Sequence, residues 1–308
     1  MAPHQAINAM NSHGDDVPNQ SPVREIALQR MGVRRTAIPV TILDPFDASR
    51  TVQLSCAVDA HVGLQPHRRG IHVSRIGDLL ARFSTRVFPS LDQYAGALCE
   101  QLRAAQASEN AGVQVSGVFS YVEDVVGVKN KSSLEHLDLR AEARRHGGTL
   151  ELSSGVGFNH ITACPCVQET FKHSFGEKQQ GLIGALAEHE VPFLTHSQRC
   201  HSEVTLSGPG TPPALPVLLA RIDQVIVRCQ NTLPREFELL TVHQAHMKAQ
   251  FLEDALRDLL HGVFELIRGS HPGAAIRIRA TSMESIHDFD ITGEVSATVA
   301  ELARLSAT

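Results

Sequence analysis

Three consecutive segments, 113–126, 134–144 and 149–163, alternate apolar and polar residues at least in part. A period of two belongs to strands with one buried and one open face, and such strands pair antiparallel. Strand-like runs recur at 36–44, 51–62, 200–208, 274–282 and 291–299, the first two joined as a hairpin across 45–50. Helical stripes lie between them. Residues 74–83 put Ile76, Leu79, Leu80 and Phe83 on one face, and 91–106 carry Leu91, Ala95, Leu98 and Leu102 behind Ser90 as a candidate N-cap. Residues 212–229 and 246–269 read as two further helices, the second with a stripe from Leu252 to Ile267. Strand pairs followed by helices, without strict βαβ alternation, predict an α+β fold with antiparallel sheets.

Composition narrows the function classes. The chain has 308 residues, 42% hydrophobic and 20% charged, which supports a real core. A net charge of -5 gives no basic field for nucleic acid, and 5% aromatics without tryptophan gives no stacking platform. No run of apolar residues is long enough to span a membrane. Residues 1–22 are polar and read as a mobile arm, followed by one domain over 23–308. Six cysteines without framework spacing predict a cytoplasmic protein with reduced thiols.

Five short stretches concentrate chemistry: GIHVSR (70–75), ACPC (163–166), THSQRCH (195–201), FLED (251–254) and MESIHDF (283–289). Cys164 and Cys166 flank one proline, too close for an ordinary disulfide and wrongly spaced for a zinc finger. Cys, His and Glu drawn from distant segments suit a catalytic divalent ion such as zinc. Each residue also has a plain structural explanation. His287 could be an ordinary hydrogen-bonded histidine, and the two thiols small buried apolar groups. Glu253 could pair with Arg257 one turn on, and Arg75 and Arg199 could be solvated charges.

Taken in order, the five boxes resemble the type IB GTP cyclohydrolases, whose pattern runs Gly-Thr-His-Met-Ser-Arg, Cys-Pro-Cys, His-Asn-Gln-Arg-Ser-His, Phe-Val-Glu-Asp and Glu-Ser-Ile-His. The segments DDVPNQ and IALQRMGVRR resemble the family's Asp-Val-Gln start and its Gln-Arg-Val-Gly-Val-Arg lead-in, so the likeness covers most of the chain. There are departures. The stretch between Cys164 and His196 is longer than the family's, which puts an insertion near 168–193. The family's Lys-Arg-Pro-Asp-Glu segment is degraded to LPREFE (233–238), leaving Glu238 or Glu236 for its carboxylate, and Asp288 and Phe289 replace its Asn-His.

The resemblance implies a tunnelling fold of two tandem units, antiparallel sheets with helices on one face, with the barrel formed by subunit association and active sites between the subunits of a homotetramer. It implies hydrolysis of GTP to 7,8-dihydroneopterin triphosphate and formate, the first step toward tetrahydrofolate and pterins. One divalent metal per site, zinc or manganese with iron as a further candidate, would be held by Cys164, His196, His287 and Glu238, with Cys166 as neighbour or alternative ligand. Glu284 and His201 would transfer protons, and Cys164 counts with them as catalytic. Glu253 would anchor guanine. His72, Ser74, Arg75 and Arg199 would bind substrate, with Arg68 and Arg69 as further cations for the triphosphate. Two other readings stay open: a different tunnelling-fold enzyme acting on a pterin or deazaguanine, and a decayed, non-catalytic metal-binding paralogue.

Overall fold

The computed structural model describes residues 16–125, 129, 131–174 and 180–306. Most of the arm expected over 1–22 lies outside them, as does the centre of the expected insertion. Ten strands in the described residues form one sheet. They are β1 (Leu28–Leu43), β2 (Thr51–Leu64), β3 (Val87–Phe88), β4 (Ala111–Asp124), β5 (Ser132–His146), β6 (Thr149–Ala163), β7 (Ser197–Ser207), β8 (Val227–Arg228), β9 (Ala275–Met283) and β10 (Asp290–Thr298). The order is β10-β9-β7-β6-β5-β4-β2-β1-β3, with β8 paired to β6. Every pairing is antiparallel except that of β1 with β3.

Alternation decides which face is covered. In β5, Leu137, Leu139, Ala141 and Ala143 are buried while the residues between them are open. In β7 and β9 the even-numbered Cys200, Ser202, Val204, Ile276, Ile278 and Ala280 are buried. Two long helices cover this face. One is α2 (Leu91–Ala105), which packs on β4 and β5 behind α1 (Val73–Phe83). The other, named α7 by its place in the chain, is Leu252–Ile267 and packs on β9 and β10. Ser90 stands at the N-cap of α2 in extended conformation, but its side chain makes no capping hydrogen bond. The opposite face is polar and laced with ion pairs, Arg140 to Glu203 at 3.0 Å and Arg279 to Glu294 at 2.7 Å.

The fold is thus mixed α+β around a large antiparallel sheet, as the alternation predicts. Several element boundaries differ from expectation. The helix expected over 212–229 is only α5 (Leu215–Ile222). Beyond it the β-branched Val225, Ile226 and Val227 lead into β8, where Val227 pairs with Ile161. The helix expected over 246–269 starts at Leu252, because the Gln250 N–H donates to the Ala163 carbonyl at 3.0 Å and the Phe251 N–H to Asp254 Oδ2 at 3.2 Å. Upstream stands α6 (Arg235–Met247), unforeseen because its Leu239, Leu240 and Val242 are exposed and only Ala245 is buried, so no apolar stripe marks it. The expected insertion holds α3 (Pro165–Ser174) and α4 (Gln180–Glu188), and α8 (Val299–Leu305) ends the described chain. Among the described residues no helix is long and apolar enough to cross a membrane.

Candidate active site

Ala163, the last residue of β6, pairs with Ser197, the first of β7. The chain between them therefore leaves and re-enters the sheet at one point. The Cys164 N–H donates to the His196 carbonyl at 3.0 Å, and Thr195 Oγ1 donates to the Cys164 carbonyl at 2.6 Å. Whatever the length of the segment that follows, Cys164 and His196 stay adjacent. β7 pairs in turn with β9, Arg199 opposite Met283, which brings the loop after Met283 alongside. There His196 Nδ1 lies 3.2 Å from Ser285 Oγ. The bond from Gln250 to Ala163 then seats the first turn of α7, with Glu253, at the same end of the sheet.

The individual side chains differ in readiness. Cys164 is half-buried, whereas Cys166 is exposed on α3. Glu284 is half-buried and its Oε1 accepts from Ser282 Oγ at 2.6 Å. His287 is exposed and its ring stacks on Phe289 with centroids 5.1 Å apart. Glu253 is exposed and has no hydrogen-bond or ion-pair partner among the described residues; Arg257 pairs with Asp254 instead, at 3.2 Å. Glu236 and Glu238 both lie exposed in the first turn of α6. Arg199 is exposed at the start of β7.

A thiolate with two imidazoles is a donor set that suits zinc and its neighbours. Cys164, His196 and the loop bearing His287 share one end of the sheet, so the residue types fit a divalent ion. The isolated chain does not close them into a cage: among the described residues no three Cys, His, Asp or Glu side chains sit close enough to hold a metal ion. Cys200, inside the HSQRCH box, is fully buried, and burial pushes its thiol up from the ordinary range. It packs as a small core residue against Thr162, 3.3 Å away.

His201 and the GIHVSR box stand elsewhere. His201 Nδ1 is 3.2 Å from Asn159 Oδ1 and its Nε2 is 3.5 Å from Asp138 Oδ2, on the open face of the sheet. His201 lies five residues along the chain from His196, roughly 16 Å for an extended strand. His72, Ser74 and Arg75 follow β2, whose last residues pair with the start of β4. Cys164 is level with the end of β4, across β5 and β6. At about 3.3 Å per residue the 14-residue β4 spans roughly 45 Å, so the box lies at the far end of the sheet. Arg75 Nη1 there donates to the Ala105 carbonyl at 3.0 Å. A groove across the open face, lined by Arg34, Asp59, Gln114, Arg140, Glu203 and Arg279, contains neither group.

One neighbour of the site, and one buried histidine farther along β6, carry no sequence signal. Ser285, which meets His196, is an ordinary serine until the sheet registers are known. His160 is fully buried beneath the sheet, its Nε2 2.8 Å from Ser202 Oγ, and burial pushes its pKa down to about 4, with His201 adding to the effect.

Comparison with known proteins identifies a family and a fold. The family described as "Type I GTP cyclohydrolase folE2" (GCHY-1) matches residues 15–293. The chain is 25% identical to the GTP cyclohydrolase MptA of Methanocaldococcus jannaschii, covering 94% of this chain and 96% of that protein. It is 26% identical to the GTP cyclohydrolase MptA of Methanocorpusculum labreanum, covering 93% and 97%. In fold it is similar to a uricase from Arthrobacter globiformis, with a TM-score of 0.53, 8% identity, and 89% of this chain and 95% of that chain covered. The chain belongs to the GCHY-1 family, the type I GTP cyclohydrolases described as folE2.

Proposed function

We propose that this protein is a metal-dependent GTP cyclohydrolase that opens the imidazole ring of GTP at C8, releases formate and forms 7,8-dihydroneopterin triphosphate. The observation that carries the reading is the backbone bond from Cys164 to His196, which joins two boxes far apart in sequence in a chain of this family. A divalent ion, zinc or manganese with iron as a further candidate, held by Cys164, His196 and His287 with Glu238 or Cys166 alongside, would supply a Lewis acid that lowers the pKa of water from 15.7 to about 7.

The chain's own groups supply the rest. Glu284, held by Ser282, adjoins Ser285, which meets His196, and stands three residues before His287, so it is suited to move protons during ring opening. His201, roughly 16 Å along β7 from His196, is too far from that end to share in the proton transfers within one chain. Glu253, exposed at the start of α7 and without a partner among the described residues, can accept from N1–H and the exocyclic amino group of guanine. A carboxylate in that role rejects adenine, whose edge would leave it unpaired. Arg199 lies near enough to the Cys164 end to meet a phosphate.

His72, Ser74, Arg75, Arg68 and Arg69 cannot reach that end within one chain. A second copy must therefore bring them, and a homotetramer of the tunnelling kind, with the polar sheet faces turned inward and active sites between subunits, satisfies this. The same closure would bring missing donors to Cys164. The experiment is direct: metal-loaded protein is incubated with GTP, the products are oxidised, and pteridine fluorescence is read. A fluorescent pteridine from GTP and none from ATP is expected. Unchanged GTP under zinc, manganese and ferrous iron alike would overturn the reading in favour of a non-catalytic paralogue.

A further inference from the structure

The GIHVSR box is strapped down by the N-terminal segment. The Gly70 N–H donates to the Pro18 carbonyl at 3.1 Å and the Arg69 N–H to the Gln20 carbonyl at 2.9 Å. Asp16 Oδ1 lies 2.6 Å from His72 Nε2, and Asn19 Nδ2 donates to the other carboxylate oxygen at 2.6 Å. An ionised carboxylate only accepts, so this contact puts a proton on Nε2. The hydrogen bond from His72, ahead of other effects, holds the Asp16 carboxyl below its ordinary range.

His72 is also fixed from behind. Its N–H donates to Gln106 Oε1 at 3.0 Å and its carbonyl accepts from Gln106 Nε2 at 2.9 Å; Gln106 is 1% exposed. Arg68 Nη1 donates to the carbonyl of the same Gln106. The His72 side chain is only 10% exposed, yet its Nδ1 has no partner among the described residues, and neither does the buried Nε of Arg68. Two buried polar atoms beside one buried glutamine thus lack a partner among the described residues, and each calls for one from outside them.

We propose that Asp16 is a positioning residue for His72, holding the imidazole so that Nδ1 and Arg68 Nε face the phosphate chain of a nucleoside triphosphate. The proposal rests on the reading of GTP as substrate. Arg68 Nε–H donates directly to a phosphate oxygen. His72 donates from Nδ1 when both ring nitrogens carry protons, and Asp16 is then its counter-ion. Arg75, tethered to Ala105, adds charge at the rim. Residues 16–20 are therefore a part of the substrate site, and they supply one subunit's share of a site whose other share is at Cys164.

The test uses the full-length, metal-loaded protein and inorganic tripolyphosphate as probe, with binding measured by calorimetry and GTP turnover measured in parallel. Asp16→Ala is expected to weaken tripolyphosphate binding about tenfold and to raise KM for GTP equally, with kcat within about twofold. Asp16→Asn, which keeps an acceptor but no charge, should fall between. In a His72→Gln background, Asp16→Ala should add nothing, because its effect runs through His72. Unchanged or tighter binding by Asp16→Ala, an undiminished effect of Asp16→Ala in the His72→Gln background, or no tripolyphosphate binding by the wild type would overturn the proposal. Tripolyphosphate binding that depends on Asp16, without GTP turnover, would leave it standing and remove the cyclohydrolase reading instead.

Discussion

The Cys164 N–H donates to the His196 carbonyl at 3.0 Å, so two residues 32 positions apart are neighbours by backbone geometry alone. Their side chains gain a common task only if a metal joins them. Cys164→Ser is therefore expected to lower bound metal and GTP turnover together while the circular dichroism spectrum stays wild-type, since a neutral hydroxyl is a poor donor to a borderline ion. Cys166→Ser, on the exposed first turn of α3, should be milder. Metal stoichiometry of the two variants decides; full metal in Cys164→Ser with loss in Cys166→Ser would reverse the assignment.

Glu253→Gln should keep metal content and stability yet lose GTP turnover. The side chain is exposed and its helical neighbour Arg257 is already paired with Asp254, so removing its charge breaks no hydrogen bond or ion pair among the described residues. The stability change should stay within about 0.5 kcal/mol. Wild-type turnover by this variant would disprove the guanine anchor.

Some of this was readable in the sequence and some was not, for identifiable reasons. β6 runs over 149–163, the very span that alternation marks, and α1 and α2 follow their stripes. α6 escaped because it exposes the apolar residues that would have signalled it. The break between α6 and α7 is set by a bond from Gln250 to Ala163, a tertiary contact that no local pattern encodes. The nearness of Cys164, His196 and the 284–287 loop follows from strand register, which the ordered boxes of the family foreshadow but spacing does not. The Asp16 contact with His72 joins residues 56 apart; Asp16 stands in DDVPNQ, which resembles the family's Asp-Val-Gln start, but nothing in the sequence pairs it with His72.

Acid stability should carry the signature of His160. Its folded pKa is about 4 against an ordinary 6.5. Between those values the unfolded chain takes up a proton that the folded chain refuses, so stability falls as pH drops through the window and is unaffected above it. The loss should reach on the order of 3 kcal/mol by pH 4. His160→Gln should flatten that limb of the curve of denaturation midpoint against pH; an unaltered limb would assign the acid sensitivity to other groups.

Phe264 is 1% exposed in the buried stripe of α7, which covers β9 and β10. Phe264→Ala should cost about 3–5 kcal/mol in chemical denaturation through lost burial and the cavity left behind. A cost below about 1 kcal/mol would mean that α7 is not anchored to the sheet as described.

The central claim is that this chain cuts C8 out of GTP at the Cys164 and His196 end of the sheet. Formate release measured against GTP consumed, for metal-loaded wild type and Cys164→Ser side by side, tests it most directly. One formate per GTP from the wild type, and almost none from Cys164→Ser at equal protein concentration, is the predicted result. GTP consumption without formate, or equal formate from both proteins, would contradict it.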